Sequence, residues 1–303
     1  MKSISVTLSP ELRLEQALQK AGIENPASIT KLTVAGMLKK DDLSFMARHM
    51  AETLRNLNMK NATVEENRIS MFYSDVLTSV ILPASLEIID YYGFRGLPAL
   101  TSMKIPDGVT DIRCCAFTGC KELVSINIPA NVTYIAWCAF LSCVNLTWID
   151  VDCDNACYTS DDGVLFSKDK TVLVQYPAGK PETDYTIPDG VTSIEGGAFD
   201  SSKRLKSLTI PASVASIEYG TLEGCDTLTS IICLCSTPPK IEGFYSCLFS
   251  RCRLYVPQKW LHLYRNSEQW KVFACAPIKK KKKKRKRQCC DMAHNPATFA
   301  ENF

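Results

Sequence analysis

The stretch Leu100–Glu122, LTSMKIPDGVTDIRCCAFTGCKE, decides the fold of this chain because it recurs along the sequence. Similar stretches begin at Leu77, Leu123, Glu182 and Leu205. One proline of the unit recurs every 23 residues, first at Pro83, Pro106 and Pro129 and later at Pro188 and Pro211. A constant period in the twenties is typical of a solenoid, in which each repeat forms one coil that stacks on the next.

Each unit contains the pattern of a short strand followed by a compact turn. Numbered from its leading residue, the unit is apolar at positions 4 and 6, which predicts a strand with one buried face. Proline at position 7 lacks an amide donor, so the hydrogen-bonded ladder between coils is expected to end there. Phenylalanine at position 18 predicts an interior column of rings, formed by Phe94, Phe117, Phe140 and Phe199.

No single unit can bury both of its faces, so the units are expected to stack. Stacking predicts that the strands at Leu100–Ile105, Leu123–Ile128 and Leu205–Ile210 form one parallel sheet. A β-sandwich with short alternating strands is the alternative, but it does not explain a strict 23-residue period. The sequence therefore predicts a repeat solenoid.

The unit pattern LxxIxIPxxVxxIxxxAFxxCxx resembles the BspA-like subclass of leucine-rich repeats, over roughly residues 77–273. The resemblance implies a β-rich leucine-rich-repeat solenoid with parallel strands on one face and short helices mainly in the N- and C-terminal caps. Proteins of this subclass occur at bacterial and some protist surfaces. The resemblance therefore also implies adhesion to host or matrix proteins, and a secreted or cell-surface location.

Changes in the pattern divide the chain into four regions. Residues 1–76 lack the unit and are predicted to form an N-terminal cap in the order helix, strand, helix, strand, with the first helix beginning at Ser9 and Pro10. Residues 77–253 carry the repeats, with an insertion at 152–181 whose turn signals predict a strand-turn-strand element. Residues 254–278 are predicted to form a C-terminal cap with Trp260, Tyr264 and Trp270, although a sugar-binding aromatic patch is the alternative.

The charge of the chain is unevenly distributed. Its net charge is +3, yet residues 1–278 carry 26 basic and 30 acidic residues. No apolar run is long enough to span a membrane, and the stretch SISVTL near Met1 is too short and polar for the core of a signal peptide. Either the chain stays inside the cell, as the sequence and its cysteines suggest as written, or an export signal is missing from the sequence, as the location implied by the resemblance would require.

The fifteen cysteines do not form a familiar zinc or disulfide pattern, since no CxxC is present. Several fall on repeat positions, such as Cys120, Cys143 and Cys225 at position 21, which favours packing as small reduced thiols. Cys115 and Cys138 share position 16 one coil apart, and we predict that they stay reduced. We predict no metal and no cofactor.

The sequence favours a non-enzymatic scaffold, because its three histidines lie in different regions and no catalytic motif is present. Positions 3 and 5 of each unit point outward from the strands, and a protein or glycan is expected to bind there, with the chain a monomer. The candidate partner-binding residues are Ser125, Asn127, Trp148, Asp150, Asp184 and Ser207. Trp148 is either an exposed anchor for a partner or a packing residue beneath the insertion.

The run KKKKKKRKR near the C-terminus offers an alternative function. Its nine like charges, within residues 279–303, predict a disordered segment. Such a run can bind nucleic acid or an acidic membrane surface, but a solvated appendage or a reading-frame accident is the favoured explanation. The residues concerned are Lys279, Lys280, Lys281, Lys282, Lys283, Lys284, Arg285, Lys286 and Arg287.

Overall fold

A computed structural model describes residues 2–243, 248 and 250–278 of the chain. The basic run Lys279–Arg287 lies outside these described residues, and so do the disorder and the nucleic-acid or membrane binding predicted for it. Where all residues of a helix are described, the helices are α1 Leu14–Lys20, α2 Lys40–His49 and α3 Leu261–Asn266, with 3-10 turns at Pro26–Ser28, Glu65–Asn67 and Gln258–Trp260.

Most of the regular structure is short strand. The strands are β1 Lys2–Leu8, β2 Ile29–Leu38, β3 Asn56–Val64, β4 Arg68–Ile69, β5 Ser79–Ile81, β6 Ile88–Ile89, β7 Ser102–Lys104, β8 Asp111–Ile112, β9 Ser125–Ile128, β10 Tyr134–Ile135, β11 Trp148–Val151, β12 Tyr158–Asp161, β13 Val164–Ser167, β14 Val172–Gln175, β15 Asp184–Thr186, β16 Ser193–Ile194, β17 Ser207–Ile210, β18 Ser216–Ile217, β19 Ser230–Cys233, β20 Lys240–Ile241, β21 Arg253–Val256 and β22 Ala274–Pro277.

Each repeat coil contributes two strands, and stacking the coils produces two strand faces. We call the row β5, β7, β9, β11, β15, β17, β19 and β21 the long-strand face, and the row β4, β6, β8, β10, β16, β18 and β20 the short-strand face. The strands that pair with one another within each row are parallel, and partners such as Ser125 and Trp148 are one 23-residue unit apart. The predicted leucine-rich-repeat solenoid with parallel strands is confirmed.

The N-terminal region contains an element that the sequence analysis does not predict. The SISVTL stretch lies within β1, which pairs in parallel with β2, so a strand precedes the first helix. That helix begins at Leu14 rather than at Pro10. The reason is that the carboxylate of Asp42 accepts a hydrogen bond from the Leu14 amide at 2.9 Å and forms an ion pair with Arg13. Asp42 is buried at the start of α2, so one side chain holds both helices.

The interior contains the predicted stack of phenylalanine rings, but in two pieces. Phe117 lies between Phe94 and Phe140, with ring centroids 5.9 and 5.5 Å apart. Phe199 instead stacks on Tyr176 of the insertion, at 5.1 Å. The insertion therefore divides the interior column.

The insertion also divides the sheet, so the expectation that all the long strands share one sheet is wrong. Strands β7, β9 and β11 form one sheet, whereas β15, β17, β19, β21 and β22 form another. Between them, β12, β13 and β14 make an antiparallel element that joins β16 on the short-strand face. Leu165 packs in the N-terminal core and its neighbours Val164 and Phe166 pack in the C-terminal core, so β13 is buried on both sides.

The last coil is covered by aromatic side chains. Trp270 and Tyr264 are fully buried, and both donate hydrogen bonds to backbone carbonyl groups of the preceding coil, at 2.8 Å to Pro239 and 3.0 Å to Cys235. Because neither ring is exposed, these two residues do not form a sugar-binding patch.

Within the part of the chain that the structure describes, no helix has the length and apolar character needed to cross a bilayer.

Candidate functional site: two exposed strand faces

The residues that the sequence analysis proposes for binding lie on the long-strand face, on both sides of the insertion. Ser125 and Asn127 on β9 are paired with Trp148 and Asp150 on β11, and the Asn127 amide donates to the Asp150 carboxylate at 3.3 Å. Asp184 on β15 is paired with Ser207 on β17. The structure thus brings four of the six proposed residues together and places the other two in a separate sheet.

Trp148 combines features of both interpretations that the sequence left open. Its side chain is 44% exposed. However, Gly163 in the insertion lies so close that an added Cβ atom would be 2.7 Å from the indole ring. The Lys180 ammonium group is 5.6 Å from the ring centroid. One part of the indole therefore packs on the insertion while another part faces solvent.

Lys180 is the buried cation of this region. Its side chain is only 3% exposed, and its ammonium group donates to the Asp162 carbonyl at 2.6 Å and to the Asp162 carboxylate at 3.0 Å. A buried ammonium group is stable only when it is paired and hydrogen-bonded. Lys180 therefore holds the turn at Asp162 in place. Gly163, the next residue, is thereby held against the Trp148 ring.

A larger group of exposed rings lies on the short-strand face. Tyr91, Tyr134, Trp137 and Tyr219 are 55%, 50%, 47% and 53% exposed. Tyr134 occupies position 12 of its unit, within β10, and the other three occupy position 15, just after a short strand. We call these four residues the aromatic surface. The binding residues predicted from the sequence occupy only positions 3 and 5, whereas the aromatic residues at the outward positions 12 and 15 are also visible in the unit pattern.

Glycine in one coil makes room for an aromatic ring from another coil. A Cβ atom on Gly196 would be 3.1 Å from the Trp137 ring, and a Cβ atom on Gly243 would be 3.3 Å from the Tyr219 ring. Both glycines follow a glutamate in the sequence, Glu195 or Glu242. The two rings therefore lie beside the backbone that carries Glu195 and Glu242.

Trp137 and Tyr219 line a cleft of about 350 Å³ together with Glu195, Glu218 and Glu242, and we call it the acidic cleft. Burial raises the pKa of Glu195 above its usual value. Burial, a hydrogen bond with Glu242 and repulsion from the same residue raise the pKa of Glu218. Lys240 lies 3.6 Å from Glu242 and offsets part of the charge. The cleft is thus suited to receive a cationic group.

Comparisons with known proteins agree with this architecture. A family model for the BspA-type leucine-rich repeat region matches residues 55–168 and 179–258 in six copies, which is well over half of the chain. A comparison with curated proteins gives no significant match.

Solved structures of bacterial repeat proteins are similar to this chain. A leucine-rich repeat protein from Eubacterium ventriosum is 19% identical with a TM-score of 0.50, and the match covers 84% of this chain and 72% of that one. A leucine-rich cell surface protein from Faecalibacterium prausnitzii is 22% identical with a TM-score of 0.42, covering 84% and 74%. The pneumococcal vaccine antigen PcpA is 17% identical with a TM-score of 0.43, covering 83% and 79%. The likeness to the Eubacterium structure concerns the fold, and the family match shows that this chain belongs to the BspA-type leucine-rich-repeat family.

Proposed function

We propose that this chain is a non-enzymatic scaffold that binds a protein partner on the aromatic surface of the short-strand face. The observation that carries this proposal is the set of four rings, each about half exposed, along one row of coils. Tyrosine and tryptophan are enriched at the centres of interfaces, because each buries a large area at a small cost in entropy. Leucine-rich repeats provide the extended surface that such binding needs.

The acidic cleft defines the chemistry of the partner segment. Glu195 and Glu218 are partly buried, and burial disfavours their charged forms. A lysine or arginine side chain that entered the cleft would stabilise these charges, and its aliphatic stem would pack on Trp137 and Tyr219. We therefore infer that the partner presents a basic segment.

A basic peptide tests this surface directly. The probe is a labelled peptide with the sequence KKKKKKRKR. The receptor is the full-length chain with Lys279–Arg287 replaced by Gly and Ser, so that its own basic run does not compete. We expect the double variant Trp137→Ala/Tyr219→Ala to bind the peptide roughly 30-fold more weakly, which corresponds to about 2 kcal/mol.

Controls separate this surface from general attraction by charge. Trp148→Ala, on the long-strand face, should leave peptide affinity unchanged, and a nine-residue glutamate peptide should not bind. Glu218→Gln should weaken binding and make it less dependent on salt concentration. Equal losses for the Trp137/Tyr219 and Trp148 variants, with thermal melts showing that both are folded, would contradict the proposal.

The long-strand face is a second candidate docking surface, favoured by the exposed part of Trp148 beside Asp150. A protein or glycan that bound there would contact Trp148 first and the hydroxyl and amide groups of Ser125 and Asn127 next. Either binding surface could serve adhesion to host or matrix proteins, which is the role that the family resemblance implies. Trp148→Ala distinguishes binding at this side chain from packing.

A further inference from the structure

Three cysteine thiols converge at one end of the aromatic surface. Cys114 and Cys115 follow β8, and Cys138 follows β10 in the next coil. The sulphur atoms of Cys114 and Cys138 are 2.7 Å apart, and those of Cys114 and Cys115 are 3.6 Å apart. All three sulphur atoms lie within 4.8 Å of one another. We call them the thiol triad.

The backbone of the two coils holds the triad in place. Cys115 has a positive φ of 58°, which turns the chain sharply after Cys114. The Thr118 hydroxyl donates to the Cys138 carbonyl at 3.2 Å and the Tyr92 amide donates to the Cys114 carbonyl at 3.2 Å. Adjacent thiols on one coil thus face a third thiol on the next coil, in an arrangement that sequence spacing alone does not show.

The triad differs from the cysteines that serve packing. The thiols of Cys120, Cys143 and Cys225 each donate to a phenylalanine carbonyl of the preceding coil, at 3.0 to 3.2 Å. The triad sulphur atoms instead approach one another, and Cys114 and Cys115 are partly exposed. Clustered sulphur atoms with access to solvent are suited to bind a soft metal ion.

We propose that Cys114, Cys115 and Cys138 bind one Cu(I) ion as three thiolates. Sulphur atoms bound to one ion at about 2.3 Å lie at most about 4.6 Å apart, so small side-chain rotations bring the triad into place. Soft thiolates select Cu(I), which accepts three ligands, whereas structural zinc takes four. Among the described residues, the cluster contains no fourth cysteine, histidine or carboxylate ligand.

The surroundings of the triad give an ion access from solvent. Cys114 lines a cleft of about 450 Å³ together with Tyr91, Asp111, Arg113 and Tyr134. The cleft offers an entry path for the ion. Three thiolates and one Cu(I) carry a net negative charge. The Arg113 guanidinium group at the same cleft is already paired with Asp90 at 3.2 Å and with Asp111 at 3.9 Å, so its charge is shared with these carboxylates.

Competition for Cu(I) tests the proposal. Reduced full-length protein is titrated under anaerobic conditions against bicinchoninate, a coloured Cu(I) chelator. The wild type is expected to withdraw one more equivalent of Cu(I) than Cys114→Ser, which changes a partly exposed thiol. Cys153→Ser removes an exposed thiol of the insertion and is expected to match the wild type.

Alkylation of the unmodified wild type provides a measurement that does not depend on the folding of a variant. Cu(I) is expected to slow the reaction of iodoacetamide with Cys114 and Cys115 by roughly tenfold or more, as the loss of free thiolate to a metal implies. The reaction at Cys153 should be unchanged. Equal Cu(I) uptake by the wild type and Cys114→Ser would overturn the proposal, and so would unprotected alkylation at the triad in the presence of Cu(I).

Discussion

The thiol of Cys143 donates a hydrogen bond to the carbonyl oxygen of Phe117, one coil back, at 3.1 Å. Cys120 and Cys225 make the same bond to Phe94 and Phe199. Burial raises the pKa of Cys143 well above its usual value, so the thiol keeps the proton that it donates. Cysteine at position 21 therefore links neighbouring coils as well as filling space.

Cys143→Ala is expected to lower the free energy of unfolding by roughly 1–2 kcal/mol, because it removes this hydrogen bond and leaves a small void. Cys143→Ser keeps a donor and should cost less. Urea unfolding measures both variants. Cys153→Ala, at an exposed site, is the control and should change stability by less than about 0.5 kcal/mol. If Cys143→Ala were as stable as the wild type, the bond would contribute nothing.

Phe140→Ala is expected to cost roughly 3–5 kcal/mol, because it removes a buried ring that stacks on Phe117. Phe140→Leu keeps most of the volume and should cost much less. Denaturant unfolding monitored by circular dichroism distinguishes the two. Unfolding of Phe140→Ala at the wild-type midpoint would show that the ring is not part of the core.

A double-mutant cycle between Gly163 and Trp148 shows how much of the indole belongs to the scaffold. Gly163→Ala is expected to cost roughly 1–3 kcal/mol, because the added methyl group would clash with the ring and because φ at Gly163 is 73°. In a Trp148→Ala background the clash disappears, and only the backbone strain remains. The free-energy cost of Gly163→Ala should therefore be larger in the wild type than in the Trp148→Ala background, by more than about 0.5 kcal/mol.

Trp148→Ala alone addresses its proposed role in binding. If the exposed part of the ring anchors a partner, affinity should fall by about 2 kcal/mol or more. Calorimetry measures the affinity and a thermal melt measures the stability of the same sample. A lower melting temperature without loss of affinity would assign Trp148 to packing alone.

Glu218→Gln is expected to stabilise the protein at neutral pH but not in acid. The raised pKa of Glu218 means that the folded state holds this proton more tightly than the unfolded state does. Stability therefore falls as the pH rises from the unfolded pKa, about 4.3, through the folded pKa, and it stays lower above that value. Glutamine removes this loss of stability.

Urea unfolding at about pH 4 and about pH 7.5 checks the prediction, since these values lie on either side of the expected window. Glu122→Gln, at an exposed position outside the cleft, is the matched control. A gain from Glu218→Gln of the same size at both pH values would show that its carboxyl group is not responsible. Confirmation would indicate that the cleft retains its carboxylates at the expense of stability.

The sequence alone determined the repeat architecture of this protein. The 23-residue period, the strand alternation and the phenylalanine at position 18 are local patterns that recur in each coil. Stacking the coils turns such a pattern into strand rows and a ring column, because each coil must bury its apolar side on its neighbours. Phe94, Phe117 and Phe140 stack as the pattern predicts.

Only the tertiary structure decided which outward residues lie together. The insertion separates Asp150 from Asp184, although the unit pattern places both on one face. Trp137 lies beside Gly196, and Cys138 faces Cys114, because the coils bring different unit positions into contact. Periodicity specifies burial within a coil, whereas contacts between coils depend on side-chain size, on positive φ angles and on the path of the inserted chain. The aromatic surface, the acidic cleft and the thiol triad arise from those contacts.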